Sequence, residues 1–522
     1  MKKLTLTIPF DQDLDLTLKR EFSNYFKDHQ NYIIKSKSLD ARRANTGRIP
    51  KFIYELVFFN DLSEISDLSI TDALIPQSVK SEMKPPIIVG SGPAGLFAAL
   101  QFVEAGIPFV LCERGDAVKE RMKKISTFWR YGKLDEESNV CYGEGGAGLY
   151  SDGKLITRIK SPLIPYVMKK LVQFGAPKNT EYLSNPHLGS NKIRTVLEEM
   201  TKYLKNSKGK ILYNARVEEI LFSDKKVTGV KLASGEVLES GHVILATGHS
   251  AKKMYYHLEE HGVAMKAKDF AVGLRIEHKR SMIDRMQHGD FATSPILGAA
   301  RYRLSYHNKR TDRGTYSFCM CPGGNVLSSG TDSNGLVTNG MSNSGCNSPW
   351  SNAGLVVSVK SGVDFDPIKE DVLAGVKFLD RIEQGAFELS KKYATGKELP
   401  AMTVAEFING KCNSDPLPKS SSPSHLFKVD FFSLFPKFVI DHLKDSLEMF
   451  EEQIPGFAQN GILIAPETRT SSPVTILRDP QTFESTSHKG LYPAGEGAGH
   501  AGGITSAAVD GVRIAREIIK IL

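Results

Sequence analysis

Three glycines near residue 90 have a spacing that suits phosphate binding. Gly90, Gly92 and Gly95 form a G-x-G-x-x-G pattern between one apolar stretch and the apolar run that follows it. In such a pattern the first glycine allows a tight turn, the second lets the backbone approach a pyrophosphate, and the third lets the helix pack on the sheet. Pro93 and Ala94 would open that helix, whose N-terminal N–H groups and dipole attract phosphate. The pattern therefore predicts a dinucleotide site, without indicating which dinucleotide.

An acidic residue stands where the second strand of such a unit would end. Glu113 closes the apolar run from Phe109, at about the 20-residue spacing from the glycines that one strand–helix–strand unit requires. A carboxylate at this place accepts hydrogen bonds from an adenosine ribose and disfavours a 2′-phosphate. The neighbouring Arg114 weakens the second inference, because an arginine can accommodate a 2′-phosphate.

A second glycine-rich stretch offers further backbone donors. Residues 143–148 read GEGGAG, so successive unhindered N–H groups could form an anion-binding nest. Ser151, Asp152 and Lys154 follow at once and are candidates to touch a cofactor. The alternative interpretation is a mobile surface loop.

The residues best suited to proton transfer and anion binding lie later in the chain. Arg275 could clamp a carboxylate with two hydrogen bonds, and His278 could move a proton near neutral pH. Strand alternation places Arg275 and Glu277 on one face and His278 on the other. A structural salt-bridge network is an equally good interpretation. His500 and Arg469 lie in two other candidate segments, and each could be either functional or structural.

The cysteines do not predict disulfides or a metal. The chain has 6 cysteines and no CxxC pair, so no metal site is expected. Cys319 and Cys321 form a C-x-C in a strand-like run, where strand geometry would keep the sulfurs apart. Disulfide reductases use two cysteines about five residues apart, close after the glycine fingerprint, and only Cys141 lies in that region. We therefore do not expect thiol–disulfide chemistry.

Long segments of the sequence carry a family resemblance. They are residues 143–154 (GEGGAGLYSDGK), 270–278 (FAVGLRIEH), 316–324 (YSFCMCPGG), 338–342 (TNGMS) and 469–511. By these segments, over nearly its whole length, the chain resembles a group of predicted FAD-dependent dehydrogenases, also called NAD(P)/FAD-dependent oxidoreductases. They belong to the glutathione-reductase type of flavoprotein. The resemblance implies FAD binding and redox activity, but it supplies no substrate.

The resemblance also assigns roles to two small-residue segments. Flavoproteins of this type carry an A-T-G turn beside the FAD, matched here by residues 246–248. An acid after Ala-Gly meets the ribityl chain, and here Glu496 replaces the usual Asp. The final helix would aim its N-terminus at the pyrimidine side of the flavin, where a positive dipole end stabilises negative charge. The predicted cofactor-binding residues are Gly90, Gly92, Pro93, Ala94, Gly95, Glu113, Arg114, Gly145, Gly146, Ala147, Gly148, Ser151, Asp152, Lys154, Val217, Ala246, Thr247, Gly248, Gly495, Glu496, Gly502, Gly503 and Ile504.

The elements that must position these residues indicate an α/β fold. We predict a discontinuous Rossmann-like FAD-binding domain, an inserted β-rich α+β substrate or cap domain, and a small N-terminal α+β domain. The predicted ranges are 1–80 for the N-terminal domain and linker, 85–250 for the first FAD-binding part with a helical insertion at about 160–205, 251–460 for the inserted domain, and 461–522 for the C-terminal FAD-binding part.

Composition narrows the class of protein. The chain has 522 residues, 41% hydrophobic and 24% charged, with a formal net charge of +8. This suits a globular protein of more than one domain. Lysine and arginine are scattered, so we expect no nucleic-acid partner. Neither a signal peptide nor a transmembrane segment is expected, and the sparse cysteines suggest the cytoplasm.

These observations predict an enzyme that transfers a hydride or an electron pair between FAD and a small organic substrate. The lack of a second fingerprint argues against a dedicated NAD(P)H domain and leaves NAD(P)H as a transient electron donor. Two alternatives stay open: a reductase of an apolar C=C bond, and a non-catalytic FAD-binding scaffold or regulatory protein. The sequence does not indicate an oligomeric state.

Overall fold

A computed structural model describes residues 2–28, 31–61, 84–368 and 370–522. Most of the predicted linker at 60–84 lies outside these described residues. The helices are α1 (Leu14–Glu21), α2 (Tyr25–Asp28), α3 (Pro93–Glu104), α4 (Val118–Tyr131), α5 (Ile164–Gln173), α6 (Gly189–Lys205), α7 (Lys252–Glu260), α8 (Arg280–His288), α9 (Ala374–Tyr393), α10 (Val404–Asn409), α11 (Lys437–Gln453) and α12 (Ile504–Ile521).

Strands occur in most parts of the described residues, in places several in succession. They are β1 (Lys2–Pro9), β2 (Asn31–Asp40), β3 (Lys51–Phe59), β4 (Ile87–Val89), β5 (Val110–Cys112), β6 (Lys210–Leu212), β7 (Val217–Ser223), β8 (Lys226–Leu232), β9 (Val237–Glu239), β10 (Val243–Leu245), β11 (Met265–Ala267), β12 (Phe270–Lys279), β13 (Ser305–Asn308), β14 (Arg313–Cys321), β15 (Asn325–Ser328), β16 (Thr338–Met341), β17 (Trp350–Val359), β18 (Leu399–Thr403), β19 (Leu426–Lys428), β20 (Ile462–Glu467), β21 (Val474–Ile476) and β22 (Leu491–Pro493).

The N-terminal residues form a small α+β unit. Its antiparallel sheet has the order β1-β3-β2, and α1 begins where the Asp13 side chain accepts a hydrogen bond from the Leu16 amide at 2.9 Å. Leu18 on α1 is fully buried in the same apolar cluster as Phe58 on β3. The unit is joined to the rest of the chain through Lys37, whose amide donates to the Tyr182 carbonyl at 2.8 Å.

A five-stranded sheet unites the two ends of the remaining chain. Its order is β22-β10-β4-β5-β6, and every neighbouring pair is parallel. Its strands are short and apolar, as expected where helices cover both faces. The last strand, β22, thus extends a sheet whose other members precede residue 246. This confirms the predicted Rossmann-like fold assembled from distant segments.

Helices α3 and α12 pack against each other beside this sheet. Their contact depends on Gly511, because a Cβ there would lie 2.0 Å from the Ala94 carbonyl oxygen. The backbones can approach this closely only where a side chain is missing. The N-termini of the two helices are consequently held near each other. Helices α5 and α6 coincide with the predicted helical insertion.

The second large unit is a mixed seven-stranded sheet of order β13-β14-β17-β12-β20-β18-β19. Its central strand β12 is buried on both faces, with α9 and α11 packed in the adjoining core. Strand β20 pairs with β12 and β18. Because β20 belongs to this sheet, we propose a domain boundary after Glu467 rather than at residue 461.

The described residues contain neither a membrane-spanning helix nor a cluster of metal-ligating side chains. No helix in the described part of the chain combines the length and the hydropathy that a membrane span requires. Within the same residues, no group of three or more His, Cys, Asp or Glu side chains could hold a metal ion.

Candidate functional site

The roles assigned to the first and third fingerprint glycines are visible in the turn that follows β4. Gly90 has a φ of 105°, and a Cβ there would lie 2.5 Å from the Ala246 carbonyl oxygen. A Cβ on Gly95 would lie 2.0 Å from the Gly90 carbonyl oxygen. Both positions therefore require glycine, one for the turn and one for the packing of α3 on the sheet.

Gly92 differs from these two glycines. It precedes α3 with a φ of −72°, a value open to any residue. A Cβ on Gly92 would meet no atom within 4 Å. Open space therefore adjoins the N-terminus of α3, where the first-turn N–H groups lack helical partners.

The Glu113 carboxylate ties this turn to the next glycine-rich loop. Its Oε2 accepts hydrogen bonds from the amide and the hydroxyl of Ser91, at 2.9 and 2.6 Å. Its Oε1 accepts from the amides of Gly115 and Gly143, at 3.0 and 2.9 Å. Both oxygens are thus already engaged, so the predicted ribose contact stays a prediction. Ser91 was missed because it occupies a variable position of the motif.

Residues 143–148 lie directly over the fingerprint. A Cβ on Gly146 would be 3.2 Å from the Gly92 Cα, and one on Gly148 would be 3.3 Å from the Ile504 Cγ1 and 3.8 Å from the Pro93 Cγ. The Gly145 amide donates to the Ser91 carbonyl at 3.0 Å. The loop therefore touches both the start of α3 and the start of α12.

Arg121 on α4 holds this loop, and sequence reasoning overlooked it. The side chain is fully buried, and its guanidinium donates only to backbone carbonyls: those of Asn139, Val140, Gly143, Glu144 and Gly146, at 2.7–3.2 Å. A charge that is satisfied by neutral carbonyls stays positive, and it lies beneath a loop suited to an anion. No local motif marks this arginine, because its partners are backbone atoms.

The C-terminal glycine-rich segment closes the arrangement. A Cβ on Gly495 would lie 3.0 Å from the Ala94 Cβ, and a Cβ on Gly497 would lie 2.5 Å from the carbonyl carbon of Gly248. The Gly495 amide donates to Asp510 on α12 at 2.8 Å. Residues 90–95, 143–148, 246–248 and 495–504 therefore meet. We call these four segments the glycine cradle.

The cradle leaves space where a dinucleotide would lie. A Cβ on Gly248, Gly502 or Gly503 would meet no atom within 4 Å. His249 follows the A-T-G turn, and its buried Nε2 has no partner in the structure, while its Nδ1 lies 3.3 Å from a Glu496 carboxylate oxygen. Open glycine faces, a buried polar atom without a partner and two helix N-termini together fit FAD.

Two predicted cofactor-binding residues lie further along the same surface. Arg114 stacks on the Tyr142 ring at 3.9 Å and forms an ion pair with Glu137 at 2.9 Å. Val217 is buried at the start of β7. Arg114 and Val217 follow β5 and β6 along the chain, and their assignment to the adenosine end of a dinucleotide stays a prediction.

A polar cluster adjoins the start of α12. Thr505 donates its hydroxyl to the Leu155 carbonyl at 2.7 Å, which places the segment from Ser151 to Leu155 against that helix. The buried Asp152 carboxylate lies 3.3 Å from the Lys154 ammonium and 2.9 Å from His187 Nε2. Burial acts to raise the pKa of Asp152, but the hydrogen bond from His187 and the charge of Lys154 outweigh it and lower this pKa.

On β12, each of the three side chains proposed for catalysis is hydrogen-bonded to another part of the protein. Arg275 is fully buried, and it binds Glu467 with two hydrogen bonds of 2.9 and 2.7 Å. Glu277 accepts hydrogen bonds from the amide and the hydroxyl of Ser421. His278 Nε2 lies 2.8 Å from the Phe457 carbonyl oxygen. This geometry favours a structural role, so the catalytic assignment stays a prediction.

Burial determines the protonation of these groups and of His500. It raises the pKa of Glu277 and lowers the pKa of His278 to about 4. His500 bonds to the Ile476 carbonyl at 2.9 Å, and burial lowers its pKa as well. His278 and His500 are consequently neutral at pH 7, each bound to a backbone carbonyl. The catalytic assignment of His278 and His500 therefore stays a prediction.

A second charged cluster lies on the A-T-G side of the cradle. Arg469 donates to Glu383 at 3.1 Å, to Thr331 at 2.8 Å and to Ser250 at 3.0 Å. Glu383 also binds Lys252 at 2.8 Å. A polar cavity of about 200 Å³ opens beside this cluster. Sequence reasoning considered Arg469 but missed its partners, which come from distant segments.

Two family models match the chain. One, "Pyridine nucleotide-disulphide oxidoreductase", matches residues 85–283, and the other, "FAD-dependent protein, C-terminal domain-like", matches residues 269–470. The first match contains the fingerprint and the A-T-G turn. The second contains β20, in agreement with the boundary proposed above.

A similar protein spans the whole chain. It comes from Clostridium beijerinckii (strain ATCC 51743 / NCIMB 8052), bears the description "Uncharacterized protein", and is 35% identical over 531 residues, covering 99% of this chain and 98% of the relative. Among solved structures, CtdE in complex with FAD is 13% identical with a TM-score of 0.32, covering 84% of this chain and 88% of that one. Glycine oxidase from Bacillus cereus ATCC 14579 is 12% identical with a TM-score of 0.30, covering 84% and 95%.

The matched family models lie on both large units of the fold, and the relative matches this chain over nearly the whole length of both proteins. One of these models describes FAD-dependent proteins, and FAD is the cofactor that the glycine cradle fits. The chain belongs to the family of FAD-dependent oxidoreductases.

Proposed function

We propose that the protein transfers a hydride or an electron pair between FAD and a small organic substrate. The observation that supports this most directly is the meeting of four glycine-bearing segments at the N-termini of α3 and α12. FAD bound there would supply two-electron redox chemistry. The protein's own contribution is to bind, to orient and to manage protons.

Different parts of the cradle would bind different parts of the FAD. The amides at the start of α3 and of the loop 143–148 would hold the pyrophosphate. The start of α12 at Ile504 would place a positive dipole end against the ring system, which favours the negative charge of the reduced cofactor. Arg121 adds a positive charge below the loop.

The cluster of Asp152, Lys154 and His187 beside α12 would supply protons for the reaction. Burial acts to lower the pKa of His187, but its hydrogen bond to Asp152 and its contact with Cys346 outweigh this and raise the pKa to about 9. His187 therefore carries a proton at neutral pH. Lys154 is a second proton source, since the Asp152 carboxylate raises its pKa against the effect of burial.

The described cavities favour a small polar substrate over a long apolar one. The apolar cavity lined by Pro93, Phe97, Leu197 and Ile504 measures about 30 Å³, which has room for about one water-sized group. An isoprenoid-like chain would not fit in this cavity. The polar cavity beside Lys252 and Glu383 is the larger of these two.

Anaerobic spectroscopy tests the proposal. The pure FAD-loaded protein would be mixed with NADH or NADPH without oxygen, and bleaching of the flavin band followed by re-oxidation with organic acceptors would be recorded. We expect bleaching and re-oxidation, with slower re-oxidation in Lys154→Met than in the control Lys133→Met, which alters an exposed lysine. Tight FAD binding without reduction or re-oxidation by any donor and acceptor would support the scaffold alternative instead.

A further inference from the structure

A small apolar cavity adjoins the glycine cradle. It measures about 30 Å³ and lies where α3, α6, the start of α12 and the loop 143–148 come together. Thirteen residues line it, all of them apolar or glycine, and none of these described residues presents a polar atom to it. The cavity is therefore suited to a small molecule that needs no hydrogen bonds.

The lining residues show that the cavity opens toward the cradle. Pro93, Gly148 and Ile504 are half-buried, whereas the other residues of the wall are buried. These three residues also meet one another, since a Cβ on Gly148 would lie 3.3 Å from the Ile504 Cγ1 and 3.8 Å from the Pro93 Cγ. They stand at the starts of the two cradle helices and in the loop between them. The open side of the cavity therefore faces the space proposed for FAD.

The wall opposite this opening is formed by α6. Ile193, Val196, Leu197 and Met200 recur at helical spacing and belong to one buried core cluster. Gly145 packs against this face, because a Cβ there would lie 2.3 Å from the Leu197 Cδ1. Protein interiors are close-packed and contain few voids larger than a water molecule. A cavity of this kind beside a cofactor site is therefore a feature to explain.

The size and the polarity of the cavity together select its occupant. A volume of about 30 Å³ is close to the share of one molecule in liquid water, so the occupant has two or three atoms. A buried water makes about three hydrogen bonds, and this wall offers no partner for any of them. Dioxygen is a two-atom apolar molecule, and it accepts electron pairs of the kind that the reduced cofactor carries.

We propose that the cavity holds dioxygen and that dioxygen accepts the electron pair from the reduced cofactor. This rests on the proposed function, which supplies that pair. Dioxygen gains two electrons and two protons, so its O=O bond becomes the single bond of hydrogen peroxide and two O–H bonds form. Both electrons and both protons come from the reduced cofactor, which is thereby returned to FAD. The apolar wall holds the acceptor beside the start of α12 and gives water no hydrogen bonds there.

Crystals of the FAD-loaded wild-type protein test the binding without any variant. They would be pressurised with dioxygen and then frozen, with crystals pressurised with helium as the control. We expect electron density for a diatomic molecule between Val196 and Ile504 in the first set and not in the second. The absence of this density after dioxygen treatment would overturn the proposal, as would an ordered water at the same place in both sets.

Stopped-flow oxidation tests whether the site is used. The FAD-loaded protein would be photoreduced without an organic substrate and then mixed with dioxygen or with ferricyanide, which is too large for the cavity. Val196→Ile adds one methyl group to the cavity wall. Because holding a reactant beside its partner accelerates their reaction, we expect this variant to slow oxidation by dioxygen about tenfold. Its oxidation by ferricyanide should keep the wild-type rate.

The matched control is Val512→Ile. It adds the same methyl group to a buried position of the same core cluster that does not line the cavity, so it should react with dioxygen like the wild type. If Val196→Ile keeps the wild-type rate with dioxygen, or if both variants are slowed equally, the cavity is a packing void only and the proposal is overturned. FAD content, measured alongside, reports whether each variant is folded.

Failure of the proposed function would look different. A protein that no organic substrate reduces, but whose photoreduced form shows the expected difference between Val196→Ile and Val512→Ile, would support the dioxygen site. The same result would count against hydride or electron-pair transfer from an organic substrate.

Discussion

Gly92→Val should remove FAD binding while leaving the protein itself stable. The φ of Gly92 is −72°, so a valine meets no backbone strain there. No protein atom lies within 4 Å of the added Cβ, so the apoprotein loses no contact and has room for a side chain at this position. The side chain would instead occupy the open space in front of the α3 N-terminus, where the account places the pyrophosphate.

The size of the effect follows from the hydrogen bonds at that N-terminus. A hydrogen bond to a charged group contributes about 1.5–3 kcal/mol. If the valine prevents two such bonds, FAD binding weakens by about 3–6 kcal/mol, which is about 10²–10⁴-fold in Kd. The stability of the apoprotein should change by no more than about 0.5 kcal/mol, as for other substitutions without packing consequences.

The assay is a titration of the apoprotein with FAD, followed by fluorescence, together with thermal unfolding of the same apoprotein. Gly241→Val is the matched control, because Gly241 is exposed and an added Cβ there also meets nothing within 4 Å. The control should bind FAD like the wild type. A Gly92→Val protein whose Kd for FAD lies within about threefold of the wild-type value would refute the reasoning, since that is less than 1 kcal/mol.

Three further predictions concern stability. Gly511→Ala should lower the free energy of unfolding by about 1–3 kcal/mol or more, and with it the melting temperature, because the added Cβ would lie 2.0 Å from the Ala94 carbonyl oxygen. An unchanged melting temperature would contradict the contact between α3 and α12. Arg275→Met should cost about 3–5 kcal/mol in denaturant unfolding, since it leaves Glu467 charged and buried, and a second change, Glu467→Leu, should recover most of this. Burial acts to raise the pKa of Glu383, but the charges of its cationic partners lower it to about 2. The stability that this residue contributes is therefore present above about pH 4.5 and lost as the pH falls toward 2, so the difference in unfolding free energy from Glu383→Gln should shrink over that range; a constant difference would argue against the shift.

The parts of the fold that could be predicted from sequence are those with local signals. The fingerprint at Gly90 to Gly95 combines turn, helix start and strand in one short stretch, so its geometry follows from residue types alone. The A-T-G turn and the segment at Gly495 have similar local character. The meeting of the fingerprint with the segment at Gly495 could be inferred only from the family resemblance, because no spacing rule connects residues about four hundred positions apart.

What could not be predicted depends on long-range pairing. The run at Arg275 to His278 alternates like a half-exposed strand, yet both faces of β12 are covered by other elements, so its polar residues found buried partners. The line from Asp152 through His187 to Cys346 joins three segments without any fixed spacing. Arg121 acts through backbone carbonyls, which a sequence pattern does not display.

Hydrogen–deuterium exchange with and without FAD shows whether the glycine cradle is the FAD site. We expect added FAD to slow exchange together at residues 90–95, 143–148 and 495–504, while the N-terminal sheet of β1, β2 and β3 is unaffected. FAD that binds without protecting the first and last of these segments together would contradict the glycine cradle as its site.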